Sequence, residues 1–201
     1  ELEAMPRQSL YIEEQMAEIY YNQAYFYADK AYDYYKRLEE DKNASPEYHM
    51  DLAYCSYWMM EFDRVREECK KALALDSDQP YAYYLMGLAA LVESRLEEAL
   101  LFGDKAIELA KKQDRVPGLF WSVKIRALRR MDRLKDAVDA IMDRSRYATD
   151  DPHTYSDLIA VSMQDGSYGS AMKLVHLLRR KKLHEGLAAA TPAIVEIFSG
   201  R

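Results

Sequence analysis

Apolar residues recur along this chain at the three- and four-residue spacing of amphipathic helices. Between residues 96 and 110, small or apolar residues occupy positions 96, 99, 100, 103, 106, 107 and 110, which form one face of a helix of about four turns. Similar runs follow Pro46, Pro80 and Pro152, and proline is favoured at the first position of a helix. The pattern predicts a series of helices that bury their apolar faces against one another.

The predicted helix starts repeat with a period of 34 residues. Pro46 and Pro80 are 34 residues apart, and Pro152 follows 72 residues later, which is twice 34 plus 4. With units that begin at 12, 46, 80, 118 and 152, the twentieth positions are Ala31, Val65, Ala99, Ala137 and Ala171. A small side chain therefore recurs where two helices would have to touch.

These units resemble the tetratricopeptide repeat, a helix-turn-helix unit of 34 residues with the pattern W-x2-L-G-x2-Y, then A-x3-F, then P. The unit that starts at Pro80 has, in the matching positions, Tyr83, Met86, Gly87, Ala99 and Ala106. The unit before it has Leu52, Ala53, Val65 and Ala72. In all five units the eleventh position departs from the aromatic residue of the family, and the residues there are Asn22, Ser56, Ala90, Leu128 and Ser162.

The resemblance implies an all-α fold, a right-handed α-solenoid of about five helix-turn-helix repeats with a C-terminal capping helix. The array covers residues 12–185, after a lead-in at 1–11. Residues 186–201 are expected to form the capping helix or the start of a further segment. The four extra residues fall in the polar stretch at 112–118, where we expect a lengthened helix end and a loop. The start at Glu1 leaves an excised region of a longer protein as an open alternative.

Charge and composition narrow the range of partners. The net charge is −6 and the pI is near 5.3, which argues against a general nucleic-acid binder, because neutralising phosphates requires a basic face. No apolar stretch approaches the roughly 18 residues of a membrane span, so no membrane insertion is expected. Cys55 and Cys69 have neither disulfide-framework nor metal-site spacing, and we predict buried free thiols.

Catalytic motifs are absent from the sequence. It contains no phosphate-binding glycine loop, no nucleophile elbow and no His-Glu-x-x-His motif. The four histidines are too dispersed for a metal-ligand cluster. Carboxylate pairs such as Glu67 with Glu68 and Glu97 with Glu98 are expected on solvent-exposed helix faces. We therefore predict no enzyme activity, no cofactor and no catalytic or metal site.

The resemblance also implies a ligand groove. In tetratricopeptide arrays, positions two, five, nine, twelve and thirteen of each unit line the concave face. Carried over to this chain, the candidate groove residues are Tyr20, Met50, Tyr54, Tyr57, Trp58, Tyr81, Tyr84, Leu88, Arg126, Arg129 and Arg130. An aromatic and apolar surface beside a basic patch would bind a peptide or helical segment of a partner protein. Two alternatives stay open: the rings pack between units, and the arginines form an ordinary solvated face.

One established ligand class of the family is disfavoured. Co-chaperones bind a C-terminal acidic tail through a clamp of Lys, Asn and Arg residues. At those positions this chain has Met16, Tyr20, Asp51, Tyr81 and Leu85. A receptor for chaperone tails is therefore not the expected function.

Seven of the 17 tyrosines fall within sixteen residues near the N-terminal end. They are Tyr20, Tyr21, Tyr25, Tyr27, Tyr32, Tyr34 and Tyr35. Because one side of a helix pair cannot bury so many rings, some are expected to be exposed. They would then form a homodimer contact or the docking surface for upstream repeats.

We thus predict a protein-interaction module. Two alternatives belong to other classes: a self-assembling scaffold region of a larger bacterial secretion, envelope-assembly or signalling protein, and a chaperone-like holder of an exported protein.

Overall fold

The computed structural model describes residues 24–37, 45–113, 118–147 and 152–181. These residues form helices joined by turns. The helices are α1 (Ala24–Arg37), α2 (Pro46–Trp58), α3 (Phe62–Leu75), α4 (Pro80–Val92), α5 (Leu96–Lys112), α6 (Leu119–Arg130), α7 (Leu134–Tyr147), α8 (Pro152–Gln164) and α9 (Tyr168–Lys181). The predicted lead-in at 1–11 and the predicted capping helix at 186–201 lie outside the described residues.

The chain forms two compact units, Glu1–Arg95 and Leu96–Arg201. In the first unit, α1 packs against α2, α2 against α3, and α3 against α4, while α2 also contacts α4. In the second unit, α5 packs against α6, α6 against α7, α7 against α8, and α8 against α9. Packing between helices that follow each other in the chain confirms the all-α, tetratricopeptide-like fold.

The helix starts follow from local sequence. Helices α2, α4 and α8 begin at Pro46, Pro80 and Pro152, where the missing N–H of proline costs no helical hydrogen bond. The hydroxyl of Ser45 caps α2 by accepting a hydrogen bond from the backbone N–H of Tyr48, at 3.2 Å, which satisfies a donor that the first helical turn leaves unpaired. These features fix where the first helix of a repeat begins.

The twentieth positions lie in the core. All five residues there, Ala31, Val65, Ala99, Ala137 and Ala171, have a solvent exposure of 0%. A larger side chain at such a position would have to displace its neighbours, because protein interiors are close-packed. The recurrence of small residues thus reports tight packing in each repeat.

Helices α2, α4, α6 and α8 end in the same way. Counted from 46, 80, 118 and 152, the fifteenth residues are Met60, Ser94, Asp132 and Gly166, with φ angles of 62°, 62°, 59° and 74°. The N–H of the following residue donates to the carbonyl of the eleventh residue at 2.8–2.9 Å, and these donor and acceptor pairs are Glu61 to Ser56, Arg95 to Ala90, Arg133 to Leu128 and Ser167 to Ser162. A left-handed residue with this hydrogen bond ends a helix in a Schellman motif.

Two predictions about particular elements are confirmed. Helix α5 has 17 residues, whereas α3, α7 and α9 have 14 each, so its C-terminal end is lengthened as expected from the insertion. Cys55 and Cys69 are buried free thiols. Burial raises the pKa of each thiol to about 12.

The prediction that Glu67 and Glu68 share a solvent-exposed face is wrong for Glu68. Glu67 is exposed, but the Glu68 side chain is 3% exposed, and its Oε2 accepts a hydrogen bond from Nδ1 of His49 at 2.7 Å. Lys71 also donates to Glu68, at 3.0 Å. A carboxylate can be buried here because two partners compensate for its loss of hydration.

Candidate functional site

Five aromatic residues form a cluster on the first helices of two successive repeats. We call Tyr54, Tyr57, Trp58, Tyr81 and Tyr84 the aromatic cluster. The first three lie on α2 and the last two on α4, which contact each other within the first compact unit. Spacings of three and four residues bring the side chains of one helix onto one side.

The rings of the aromatic cluster contact one another at their edges. The Trp58 ring centroid lies 6.1 Å from that of Tyr54 and 5.5 Å from that of Tyr57, and the ring planes are nearly perpendicular. Tyr81 and Tyr84 form a similar pair at 5.4 Å. Edge-to-face contacts of this kind hold rings in defined orientations.

The two ring groups lie close to each other. Burial raises the pKa of the Tyr81 hydroxyl, and the nearby Tyr54 hydroxyl raises it further. Tyr81 is nevertheless 37% exposed, and Tyr54, Tyr57, Trp58 and Tyr84 are half-buried. Ring surface of the aromatic cluster is therefore exposed to solvent, while each ring is also packed against the first unit.

The other apolar groove candidates are less accessible. Met50 is 8% exposed and Leu88 is 7% exposed, so both pack under the surface of the first unit. Tyr20 lies outside the described residues. The ligand-contacting role of these three residues stays a prediction.

The three candidate arginines lie on α6, in the second unit. Arg126 and Arg130 are exposed, and Arg129 is half-buried. The aromatic cluster and the arginines thus belong to different compact units. The structure adds Arg144 to this basic set, a residue that the sequence analysis missed.

Arg144 is the buried member of a cleft in the second unit. Its side chain is 2% exposed, and its Nη1 lies 2.9 Å from Oδ2 of Asp157 on α8. The cleft has a volume of about 480 Å³, and its lining includes Ser122 and Arg126 of α6. A charged cleft therefore lies beside part of the predicted basic patch.

The described part of the N-terminal tyrosine run is only partly exposed. Tyr35 is buried, Tyr32 and Tyr34 are half-buried, and Tyr27 is exposed. Lysine and arginine side chains stack over three of these rings, at 4.9–5.3 Å from the ring centroids. The neighbouring Phe26 is 76% exposed. The described tyrosines of this run are thus stabilised partly by packing in the core and partly by cation–π contacts.

Metal-binding clusters and membrane-spanning helices are missing from residues 24–37, 45–113, 118–147 and 152–181. No group of three or more His, Cys, Asp or Glu side chains in these ranges is placed to hold a metal ion. None of the helices in these ranges combines the length and the apolar character needed to cross a bilayer.

Part of the chain is similar in sequence to a known protein. No protein-family model matches the sequence. The chain is 33% identical over 93 residues to the mitochondrial import receptor subunit TOM70 of Homo sapiens, a match that covers 46% of this chain and 15% of that protein. The chain thus spans a small part of the length of this relative.

Solved structures share the fold along most of the chain. TTC0263, a thermophilic TPR protein of Thermus thermophilus, aligns with a TM-score of 0.71 at 14% identity, over 95% of this chain and 98% of that one. YrrB, a TPR protein with an unusual peptide-binding site, aligns with a TM-score of 0.59 at 17% identity, over 83% of this chain and 84% of that one. With the repeated helices and turns described above, these likenesses show that the chain has the tetratricopeptide-repeat fold.

Proposed function

We propose that this chain is a protein-interaction module that binds an extended or helical peptide segment on the aromatic cluster. The observation that carries the proposal is the exposure of the cluster: the rings contact one another within α2 and within α4, yet all five keep surface open to solvent. Tetratricopeptide-repeat proteins mediate protein–protein interactions, using the surfaces that stacked repeats create.

Aromatic rings suit this role for a physical reason. Tyr and Trp side chains offer large contact areas and lose little conformational entropy on binding, because only two χ angles have to be fixed. The tyrosine hydroxyls can hydrogen-bond to the backbone of a bound segment while the rings pack against its apolar side chains. The rings of this chain are already oriented by edge contacts, which lowers the entropy cost of binding further.

Two similar proteins favour a peptide ligand. YrrB is a TPR protein with an unusual peptide-binding site, and TOM70 is a subunit of a mitochondrial import receptor.

The experiment begins with a random peptide display library selected on the 201-residue chain. The affinity of a selected peptide is then measured by fluorescence polarisation. Combined Tyr54→Ala, Tyr57→Ala and Tyr84→Ala substitutions are expected to weaken binding more than tenfold, since hot-spot rings each contribute about 2 kcal/mol or more. The matched control removes two exposed rings outside the cluster by Phe26→Ala with Tyr27→Ala, and it should leave the affinity within twofold.

Two outcomes would contradict the proposal. Unchanged affinity of the triple variant would place the peptide elsewhere. Loss of helicity in circular dichroism would instead assign the three rings to the core of the first unit.

Self-assembly through α1 is the second candidate function. The exposed Phe26 and Tyr27 favour it, because apolar rings at a surface are often buried in an interface. Light scattering over a dilution series tests it directly. A homodimer that dissociates after Phe26→Ala would support the candidate, and a strict monomer at all concentrations would reject it.

A further inference from the structure

The two helices that carry the aromatic cluster have carboxylates but no Lys or Arg. Glu47 and Asp51 lie on α2, and α4 has no charged residue. His49 of α2 is buried against Glu68 of α3, so it adds no positive charge to the surface. The sequence of the first unit, residues 1–95, contains 19 acidic and 10 basic residues. The aromatic cluster therefore lies in a negative electrostatic environment.

The two carboxylates lead directly to the rings of α2. Asp51 follows Glu47 by four residues, and Tyr54 follows Asp51 by three, so all three lie on one side of the helix, with neighbouring Cβ atoms about 5–6 Å apart. Trp58 continues the same side four residues later and contacts the Tyr54 ring. Glu47 is exposed and Asp51 is half-buried. A carboxylate thus lies within one helical turn of the cluster.

Tyr54 lies at the centre of the aromatic cluster. Its ring centroid is 6.1 Å from that of Trp58, and its hydroxyl is near that of Tyr81. The faces of such rings attract cations. The last turn of α2 contains no basic residue, so the negative end of its helix dipole is not compensated there. The N-terminal end of α4 has the opposite polarity, and a cation is therefore expected on the α2 side of the cluster.

The cations of the neighbouring helices have partners outside the cluster. The described residues of the first unit include eight Lys and Arg residues, all on α1, α3 or the turn after α4. Six of them contact rings of α1 or carboxylates of α3 and of the turns, namely Lys30, Arg37, Arg64, Arg66, Lys71 and Arg95. Lys36 lies near Tyr32 and Glu67, and Lys70 is exposed on α3. Their charge is thus largely matched by other groups.

The second unit shows what rings and a carboxylate can do together. Nζ of Lys111 lies 5.5 Å from the ring centroid of Trp121 and 4.9 Å from that of Tyr147. The same ammonium donates to Oδ2 of Asp143 at 3.0 Å. Two rings and one carboxylate therefore hold a cation in this fold. The first unit presents the same three kinds of group on the surface of α2.

From this arrangement we infer that the aromatic cluster selects a basic segment, and that a guanidinium of this segment stacks on the Tyr54 ring and pairs with Asp51. The inference rests on the proposed function in one respect, namely that the partner presents a peptide to the cluster. Arginine suits the site better than lysine, because a planar and weakly hydrated guanidinium can stack on a ring while it donates to a carboxylate. An acidic segment would be repelled by Glu47 and Asp51.

The test uses a small probe and does not need a partner. N-acetylarginine amide, which has a single guanidinium, is titrated into the ¹⁵N-labelled 201-residue chain and followed by NMR. Saturable shifts are expected for the indole N–H of Trp58 and for the amide of Tyr54, but not for the indole N–H of Trp121. N-acetylcitrulline amide, a neutral analogue of similar shape, should produce none of these shifts.

Matched variants assign the site. Asp51→Asn is expected to weaken the arginine affinity about three- to fivefold, as for a partly exposed ion pair. Asp33→Asn removes the same charge from the exposed side of α1 and should leave the affinity nearly unchanged, because salt screens distant charges. Tyr54→Leu should also weaken binding, whereas Tyr54→Phe keeps the ring and should restore it. Circular dichroism of each variant confirms that the helices are intact.

Several results would overturn the inference: equal losses in Asp51→Asn and Asp33→Asn, equal shifts with the citrulline derivative, or shifts at Trp121 instead of Trp58. Self-association of the chain that the arginine probe disrupts would identify a second copy as the occupant and would overturn the assignment to a partner segment.

The peptides selected to test the proposed function separate it from this inference. Peptides that contain no arginine or lysine, yet lose affinity in the Tyr54→Ala, Tyr57→Ala and Tyr84→Ala variant, would support the proposed function and overturn the inference. Binding of the arginine probe at Trp58, combined with unchanged peptide affinity in the same variant, would support the cation site and contradict the proposed function.

Discussion

Nδ1 of His49 and Oε2 of Glu68 lie 2.7 Å apart, and their side chains are only 7% and 3% exposed. His49 lies on α2 and Glu68 on α3, so this polar contact joins the two helices of one repeat inside the first unit. The ring of Tyr48 covers the imidazole edge-on, at 5.3 Å. A buried pair of this kind is costly to break from one side.

Glu68→Ala is expected to lower the free energy of unfolding by about 2–4 kcal/mol, because it leaves the buried imidazole without its acceptor. Glu67→Ala, one residue earlier on the same helix but exposed, is the matched control and should leave the denaturation midpoint unchanged. Urea denaturation measures both. An equal effect of the two substitutions would contradict the importance of the buried pair.

A double variant separates polarity from packing. Other repeats have Tyr83, Trp121 and Tyr155 at the position of His49, and Phe102, Ala140 and Leu174 at the position of Glu68. The combination of His49→Phe with Glu68→Leu is therefore expected to recover most of the lost stability, since well-packed apolar residues can replace a buried pair.

The left-handed turn residues lead to a second prediction. Ser94 has a φ of 62°, a conformation that is strained for an L residue but not for glycine. Ser94→Gly is expected to stabilise the chain by about 0.5–1 kcal/mol, and Gly166→Ala, where φ is 74°, to destabilise it by about 1 kcal/mol. Thermal unfolding followed by circular dichroism measures both changes.

The control for these turn variants is Ser77→Gly. Ser77 is an exposed turn residue outside the set with positive φ, so glycine there only adds freedom to the unfolded chain and should destabilise slightly. A stabilising effect of Ser77→Gly would show that φ is not the cause.

The 34-residue period of the sequence predicted most of the fold. Proline marks the starts of helices because of its backbone chemistry. Small residues mark the twentieth positions because the helices are closely packed there. Both features can be recognised directly in the sequence. The burial of Glu68 did not follow, because adjacent helix residues point about 100° apart and the two glutamates were assigned to one face. Comparison of equivalent positions in the repeats would have indicated the burial of Glu68, because three other repeats have an apolar residue at this position.

Arg144 of the candidate cleft was missed for a similar reason. Basic residues near the end of a helix are usually solvated, yet Arg144 occupies the twenty-seventh position of its unit, where Ala72 and Ala106 have an exposure of 0%. The charge of an arginine favours a surface position, whereas the equivalent residues of two other repeats indicate a buried one. The exposure of Tyr54 or Tyr84 could not be predicted in this way, because it depends on the size and orientation of neighbouring rings.

Gly103 marks a close approach of α5 to α6. A Cβ atom there would lie 3.0 Å from the backbone N of Lys124 and 3.3 Å from its Cβ. Gly103→Ala is expected to destabilise the chain by about 1 kcal/mol, because the overpacking outweighs the better helix propensity of alanine. Gly169→Ala on α9 has nothing within 4 Å of the added atom and should stabilise instead. Chemical denaturation of the pair is the measurement, and stabilisation by both changes would refute the close approach.

The two thiols should be inert in the folded chain. Burial raises the pKa of Cys55 and of Cys69 to about 12, and the thiolate is the reactive form. We expect neither to react with Ellman's reagent near neutral pH until guanidinium unfolds the chain and releases both. Since the folded pKa values lie above the unfolded ones, these groups also reduce stability as the pH rises past about 9. Rapid labelling of either cysteine in the native chain would contradict the burial.

The carboxylate of Asp143, which contacts Lys111 and Trp121, should make the stability of the second unit depend on pH. Burial disfavours its charged form, but Lys111 at 3.0 Å and the indole N–H of Trp121, which donates at 3.3 Å, together hold the pKa of Asp143 below its usual value. A lowered folded pKa gives stability that is present above the unfolded pKa, near 4, and is lost as the pH falls through the folded pKa.

Asp143→Asn is therefore expected to destabilise the chain at pH 7 by about 1 kcal/mol, since it removes an ion pair and weakens one hydrogen bond. The difference from wild type should shrink as the pH is lowered from 7 toward 3, because wild type then loses the same charge. Asp139→Asn, one helical turn earlier on α7, is the control, since Asp139 is exposed and has no ion pair within the described residues. Urea midpoints measured across this pH range test the prediction. A difference in midpoint between wild type and Asp143→Asn that stays constant with pH would show that the carboxylate charge contributes nothing to stability.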